Sequence, residues 1–318
     1  MKCLMKSVAA EQLLCKLGLV LLLVGLSACA GGGESSSTSS APAPSVALTD
    51  ANAQEVTAAA FEQFLGDTTL NAAPVPLTAA TTTRTRTTPT LVELAKKVAN
   101  LLSQTSSKFS AAAATTDPCT ISGSTTTNYA AGGTSATITY NACEDDAGVI
   151  INGSMSVSNI SASGSALSFT TSFSLTFSIS GQPNLVLSGG YTFALDLATL
   201  ATSITGTSYS GTDGVETFEL FNFTFAATLS STSADYTLSS TKINGVVTIK
   251  TLTPFTYNAG VFPAAGQMEI TGANNSRIRV TVLGDETLVG DQVQIEVDAD
   301  GDNVFETTMM TTWVALGI

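Results

Sequence analysis

From Cys119 onward apolar side chains fall on every second position, and this period constrains the fold more than any other feature of the chain. In Phe173-Ser174-Leu175-Thr176-Phe177-Ser178-Ile179 each odd residue is apolar and each even one is Ser or Thr. A strand sends successive side chains to opposite faces, so the pattern describes a sheet with one buried and one wet side. Leu185, Leu187, Tyr191, Phe193, Leu195 and Leu197 repeat it, as do Ala136, Ile138, Tyr140 and Ala142. Between Val215 and Leu229 the phase flips at Leu220-Phe221, where a bulge restores the inward face. Asn244-Gly245 has the chemistry of a type I′ hairpin, and Asp213-Gly214 and Asp300-Gly301 mark further turns. About ten to twelve strands are expected, with short connections and hence antiparallel neighbours. Phe218, Phe221, Phe223, Phe225 and Trp313 read as core and cross-strand packing, not as a binding platform.

An apolar sheet face of that size cannot stay in water, and two amphipathic segments upstream lack a partner. The first starts with Thr49 or Asp50 as N-cap and runs to about Leu65, with Val56, Ala60 and Phe64 on one face and Gly66 as stop. The second opens on the capping box Thr90-Leu91-Val92-Glu93 and carries Leu94, Ala95, Val98, Leu101 and Leu102 at helical spacing. The Thr-rich connection between them has nothing to bury and reads as an extended or mobile loop. The expected fold is mainly β: a large curved or partly closed antiparallel sheet packed on two N-terminal helices, at 50–65 and 91–104, with strands from about residue 119. A transmembrane barrel also has strands of dyad period, but it needs aromatic girdles that 7% Phe, Tyr and Trp do not suggest.

The N-terminus carries Lys2, Lys6 and Lys16, an apolar run from Leu17 to Val24, and then Leu26-Ser27-Ala28-Cys29. A basic stretch, a short apolar stretch and small residues before a cut site describe an export signal. The cysteine at the cut resembles the lipobox of bacterial lipoproteins. That resemblance implies that Cys29 becomes the acylated first residue and holds the chain to the membrane by its acyl chains. Ala30 rather than Asp after the cysteine implies the outer membrane, with the body in the periplasm or at the cell surface. The chain then divides into a signal peptide, 1–28, a Gly/Ser/Pro-rich flexible linker, 29–48, and one β-rich domain, 49–318.

Removal of the signal turns 12 basic and 25 acidic residues into 9 and 24, a net charge of −15. Such a surface repels phosphate backbones, so nucleic acid is excluded as a partner. Of five cysteines, Cys3 and Cys15 leave with the signal and Cys29 takes the lipid. Cys119 and Cys143 remain, and in an oxidising compartment they form a disulfide. Closing that loop contributes about 3 kcal/mol in the chain-entropy model.

The segment from Gly266 to Trp313, with GQMEITGANNSRIRVTVL, VQIEVDADGDNVFE and TTW, resembles the C-terminal signature of a group of proteobacterial lipoproteins without an assigned activity. Tyr140-Asn141-Ala142-Cys143, the Ala51-Asn52-Ala53 helix start and the turn at Pro263 and Gly266 fit the same pattern. The resemblance implies a lipoprotein and its fold, and implies no reaction.

The chain has no histidine, which removes the commonest general base and every Ser-His or Cys-His nucleophile pair. Ser239-Ser240-Thr241-Lys242 matches an S-x-x-K acyl-transfer pattern, but that pattern needs a helix. On a strand an odd separation sends Ser239 and Lys242 to opposite faces. Asp298, Asp300 and Asp302, with Glu306 beyond, resemble the opening of a calcium loop, because alternating hard oxygen ligands suit Ca²⁺. Asn303 stands where such loops place Gly, and Met309 where they place a bidentate Glu, so the favoured reading is a polar hairpin tip. No other cofactor is implied. The expected role is non-enzymatic: binding or structural work in the cell envelope. The alternative is a carrier or sensor of a lipid or other amphiphile held between sheet and helices.

Overall fold

The alternation resolves into fourteen strands in the computed structural model, which describes residues 43–64, 113–163, 165–257, 262–284 and 292–317. They are β1 (Ala113–Pro118), β2 (Ser122–Tyr129), β3 (Ala136–Asp146), β4 (Val149–Ser163), β5 (Ala166–Ile179), β6 (Leu185–Asp196), β7 (Thr202–Thr212), β8 (Thr217–Ala227), β9 (Ser231–Ser240), β10 (Gly245–Thr256), β11 (Ala265–Thr271), β12 (Arg277–Val282), β13 (Gln292–Asp298) and β14 (Thr307–Thr312). Each pairs antiparallel with the next, in one sheet ordered β1 to β14. The sheet is not closed: β1 and β14 are its two edges. The count exceeds the ten to twelve expected; β1 (AATTDP) lies before the first expected strand and offers no large aliphatic or aromatic stripe, whereas β13 and β14 are the two arms of the hairpin expected around Asp300-Gly301.

The inner face buries Phe169, Leu175 and Phe177 from β5, Leu187, Tyr191 and Phe193 from β6, and onward to Val293, Ile295 and Val297 from β13. Where the sequence changes phase the backbone changes register. In β8, Leu220 and Phe223 are both buried although three residues apart. The shift between Phe221 and Thr224 against β9, with Asn222 at φ +47°, absorbs the extra residue. The same device sits in β3, where Ala142 at φ +48° is exposed and Cys143 is turned inward, so Ala142 does not continue the inward series. The β9–β10 connection is a four-residue turn, Thr241 to Asn244, with the Asn244 amide bonded to the Thr241 carbonyl, and not the two-residue type I′ loop. Asn244 still supplies the positive φ, +55°, for which its short polar side chain suits it.

One helix, α1 (Ala53–Phe64), is described, so the expected pair is reduced to one; the segment 91–104 lies outside the described residues. Its N-cap is Asn52, whose carbonyl accepts the Val56 amide, rather than Thr49 or Asp50. The Asn52 side chain accepts the Thr49 amide and donates to the Ala47 carbonyl, folding the entry turn over itself. Asp50 is drawn instead to β14, where it accepts from the Thr307 hydroxyl at 2.9 Å. Val56 to Phe61 are six consecutive buried residues, more than one full turn, so α1 is enclosed and not laid on a surface. Twelve residues make a marginal helix in water, so burial is what holds it. Phe61 meets Phe255 of β10 and Trp313 edge to face, at 5.4 and 4.9 Å between centroids, and the Tyr236 hydroxyl of β9 donates to the Ala60 carbonyl. Residues 44–48, expected in the linker, belong to the body: the Val46 amide donates to the Val246 carbonyl and the Val246 amide to the Pro44 carbonyl, a parallel bridge at Ser45, and Leu48 is fully buried with its amide on the Ser276 hydroxyl. Val46 and Leu48 are themselves two apart, a stretch of the same alternation too short to read.

Candidate functional site

The acidic loop joining β13 to β14 is organised by Asp298, the last residue of β13 and the one fully buried carboxylate among the described residues. Its Oδ1 accepts the Gly301 amide at 2.7 Å and its Oδ2 the Asn303 amide at 3.1 Å. The Arg277 guanidinium on neighbouring β12 lies 3.9 Å from Oδ2 and 3.8 Å from Glu269, and it also donates to the Asn303 side chain. Two residues further along β12, Arg279 covers the Phe305 ring at 4.1 Å and holds the other half of the loop. The exposed carboxylates hold local turns: Asp300 accepts from the Asp302 amide, Asp302 from Val304, and Glu306 from Ala299.

Carboxylate oxygens of Asp298, Asp300, Asp302 and Glu306 lie within 4.8 Å of one another. The structure therefore brings together the three expected aspartates and Glu306, the acid that follows them in the sequence motif. Asn303 takes φ +75°, so it performs the turn for which a calcium loop uses glycine. Met309 packs inward beside Gln54 of α1, and no bidentate carboxylate stands in its place. A hard divalent cation is the chemistry these oxygens suit. Asp298 also holds the loop through protein groups: it accepts the Gly301 and Asn303 amides, and the Arg277 guanidinium stands 3.9 Å away as its counter-charge. Arg277 and Arg279 carried no motif signal; only their places in register, Arg277 opposite Asp298 and Arg279 opposite Glu296, identify them.

The S-x-x-K residues do not share a strand as expected: Ser239 is in β9, which ends at Ser240, and Lys242 is in the following turn. Ser239 sits opposite Glu219 and Val246 in the ladder, whereas Lys242 leaves the β9–β10 turn to meet Glu62 of α1 at 2.9 Å. That ion pair lines a cleft of about 30 Å³ with Ala59, Phe218, Leu238 and Ser240. The space suits a water molecule and no organic substrate.

Cys119, one residue beyond β1, and Cys143 of β3 form a disulfide with Cα atoms 5.5 Å apart. The bulge at Ala142 turns Cys143 inward, and Gly123 makes room for it: a Cβ there would fall 1.9 Å from the Ala142 carbonyl oxygen. Asp145 accepts from the Thr120 amide and hydroxyl and closes the turn around the bridge. Cys29 lies outside the described residues. Compared with known proteins, this chain matches no protein family, no curated protein and no solved structure.

Proposed function

We propose that this chain is a protein of the outer membrane, held there by acylation of Cys29, whose sheet body serves a binding or structural role and performs no catalysis. The observation that carries this reading is the filled inner face. Aromatic rings touch in series over β5, β6 and β7, Phe193 to Phe169, Phe169 to Tyr191, Tyr191 to Phe173 and Phe173 to Tyr209, with centroids 4.9 to 6.4 Å apart. Further along, α1 takes up the same face through Phe61. The absence of histidine and the separation of Ser239 from Lys242 support the non-catalytic part. The disulfide supports an oxidising compartment.

A second reading, a carrier or sensor of an amphiphile, is favoured by one feature. The Thr171 and Tyr191 hydroxyls are buried on the inner face, opposite each other on β5 and β6, without a well-formed hydrogen bond. Burial drives the Tyr191 phenol far above its ordinary range, and Thr171 only partly opposes the shift. A ligand hydroxyl or headgroup would answer them.

Intact mass of the chain purified from membranes tests the anchor: the expected polypeptide begins at Cys29 and carries fatty acyl groups, and an unmodified residue 29 contradicts it. Solvent extraction of the same protein separates the two readings. An extract free of stoichiometric lipid supports the first, and one amphiphile per chain supports the carrier.

A further inference from the structure

Because each strand pairs antiparallel with the next, the connections alternate between the two ends of the sheet. The β1–β2, β5–β6, β7–β8, β9–β10, β11–β12 and β13–β14 turns share one end, and the β6–β7, β8–β9 and β12–β13 turns share the other. The N-terminal segment joins the sheet at the first of these ends. Pro44 to Val46 run parallel to the opening residues of β10 through Val246, and the Ala273 amide, just beyond β11, donates to the Val46 carbonyl. A segment parallel to β10 at that strand's start is heading inward, so the chain arrives by this entry end. Exposed aliphatic side chains stand at three of its turns: Ile121 at 52%, Val215 at 77% and Val304 at 58%. These are the first, the middle and the last hairpins of that end, so the three tips span the width of the sheet. Leu197, Leu229 and Leu283 are exposed at the far end as well, so apolar tips alone do not choose between the ends.

We infer that the entry end is turned to a lipid surface, with Ile121, Val215 and Val304 in its headgroup layer, and that the far end is presented away from it. This rests on the acylation of Cys29, and the point of entry decides the orientation. Fifteen residues lead from Cys29 to Pro44, and fully extended they span no more than about 50 Å. β6, with its twelve residues, is about 40 Å long. For the far end to meet the bilayer, the anchor segment would have to run taut along the whole sheet. A relaxed chain of that length covers only about 20 Å, so contact at the far end costs chain entropy that contact at the entry end does not. Aliphatic tips then gain by entering the boundary between headgroups and acyl chains. Asp213 and Glu216 flank Val215, and Asp302 and Glu306 flank Val304, so the headgroups that fit carry an ammonium, and an anionic surface repels this end.

In the processed chain Cys29 is acylated and Cys119 is paired with Cys143, so an introduced cysteine is the one free thiol. Gln182→Cys in the β5–β6 turn and Ala198→Cys in the β6–β7 turn place a donor fluorophore at exposed positions on opposite ends of β6. Each labelled full chain, purified from membranes, is reconstituted into vesicles of phosphatidylcholine and phosphatidylethanolamine with an acceptor dye on some headgroups. Energy transfer from residue 182 should exceed that from residue 198 about threefold, since one strand length separates them. Equal or reversed transfer in the vesicle-bound chain would overturn the orientation. Adding Ile121→Ser, Val215→Ser and Val304→Ser to Gln182→Cys should move its transfer toward the Ala198→Cys value, and an unaltered transfer would contradict contact by the tips. Exchanging part of the lipid for phosphatidylglycerol should also lower transfer from residue 182; equal or higher transfer would contradict the fit to ammonium headgroups. Flotation with the vesicles reads the anchor separately. A chain that floats with equal transfer from both positions defeats the orientation alone, and a chain that does not float defeats the acylation of Cys29 and the orientation with it.

Discussion

Strands β5 to β9 line the inner face with Phe169, Phe173, Tyr191, Phe193, Tyr209, Phe223, Phe225 and Tyr236, whereas β11 to β13 line it with Met268, Ile270, Ile278, Val280, Ile295 and Val297. Rings need room that a regular ladder does not provide. In the aromatic half the backbone supplies it: a Cβ at Gly206 would sit 2.3 Å from the Phe223 ring, and one at Gly211 would sit 2.4 Å from Phe218. Register shifts interrupt the β6–β7 and β8–β9 ladders, while β11–β12, β12–β13 and β13–β14 run without one. The aliphatic half has shorter side chains and strands of six or seven residues, and α1 packs against β12 and β13. The outer faces differ as well. Hydroxyls pair across strands at Ser156–Ser172, Thr170–Thr192 and Ser188–Ser210, but β11 to β13 align Glu269, Arg279 and Glu296 in one row. One sheet thus fills its dry side in two ways, with rings seated on glycine in the middle and with a helix near the C-terminus.

The largest expected effect breaks the helix-filled half. Phe61→Ala removes a side chain touching both Phe255 and Trp313, and should cost about 3 to 5 kcal/mol in urea unfolding. A loss below about 1 kcal/mol would mean that α1 does not hold this half together. Next, Gly211→Ala breaks the aromatic half: the new methyl group meets Phe218 and the Leu187 side chain, and overpacking of this kind costs about 1 to 3 kcal/mol. A neutral or stabilising result would show that the rings have slack.

The smallest effect concerns the β7–β8 hairpin, where Asp213 and Glu219 should answer pH with opposite signs. Backbone amides of Glu216 and Val215 donate to Asp213 and hold its carboxyl below the ordinary range. A carboxyl depressed by folding contributes stability above its ordinary value, about pH 4, and loses it as pH falls through the lower folded value. Burial raises Glu219 on the adjoining strand, so protonation of that group favours the folded state as pH falls. Asp213→Asn should therefore flatten the acid limb of melting temperature against pH, by no more than about 2 to 4 °C. An unchanged acid limb would remove Asp213 from the account.

The middle of the sheet was legible because Phe, Leu and Tyr alternate there with Ser and Thr, and even the β8 bulge showed in Leu220-Phe221, within a residue or two of where Asn222 absorbs it. The β1 edge was not, since period-two reasoning needs a contrast in hydrophobicity that Ala-Ala-Thr-Thr-Asp-Pro does not supply. The start of α1 was misplaced because Thr49, Asp50 and Asn52 all have capping side chains. Tertiary partners chose among them: Thr307 engages Asp50, and the Ala47 carbonyl engages Asn52. At the acidic loop the three aspartates were visible as a motif, but Arg277 and Arg279 reach it only through strand register, which no local pattern encodes.

Hydrogen exchange of the α1 amides tests most directly whether the helix is part of the sheet's core. If α1 is enclosed as described, the amides of Val56 to Phe61 exchange only with global unfolding, at the same free energy as the core amides of β12 and β13. Exchange of those six amides at lower free energy, with β12 and β13 still protected, would show that α1 opens independently and that the helix does not fill the sheet.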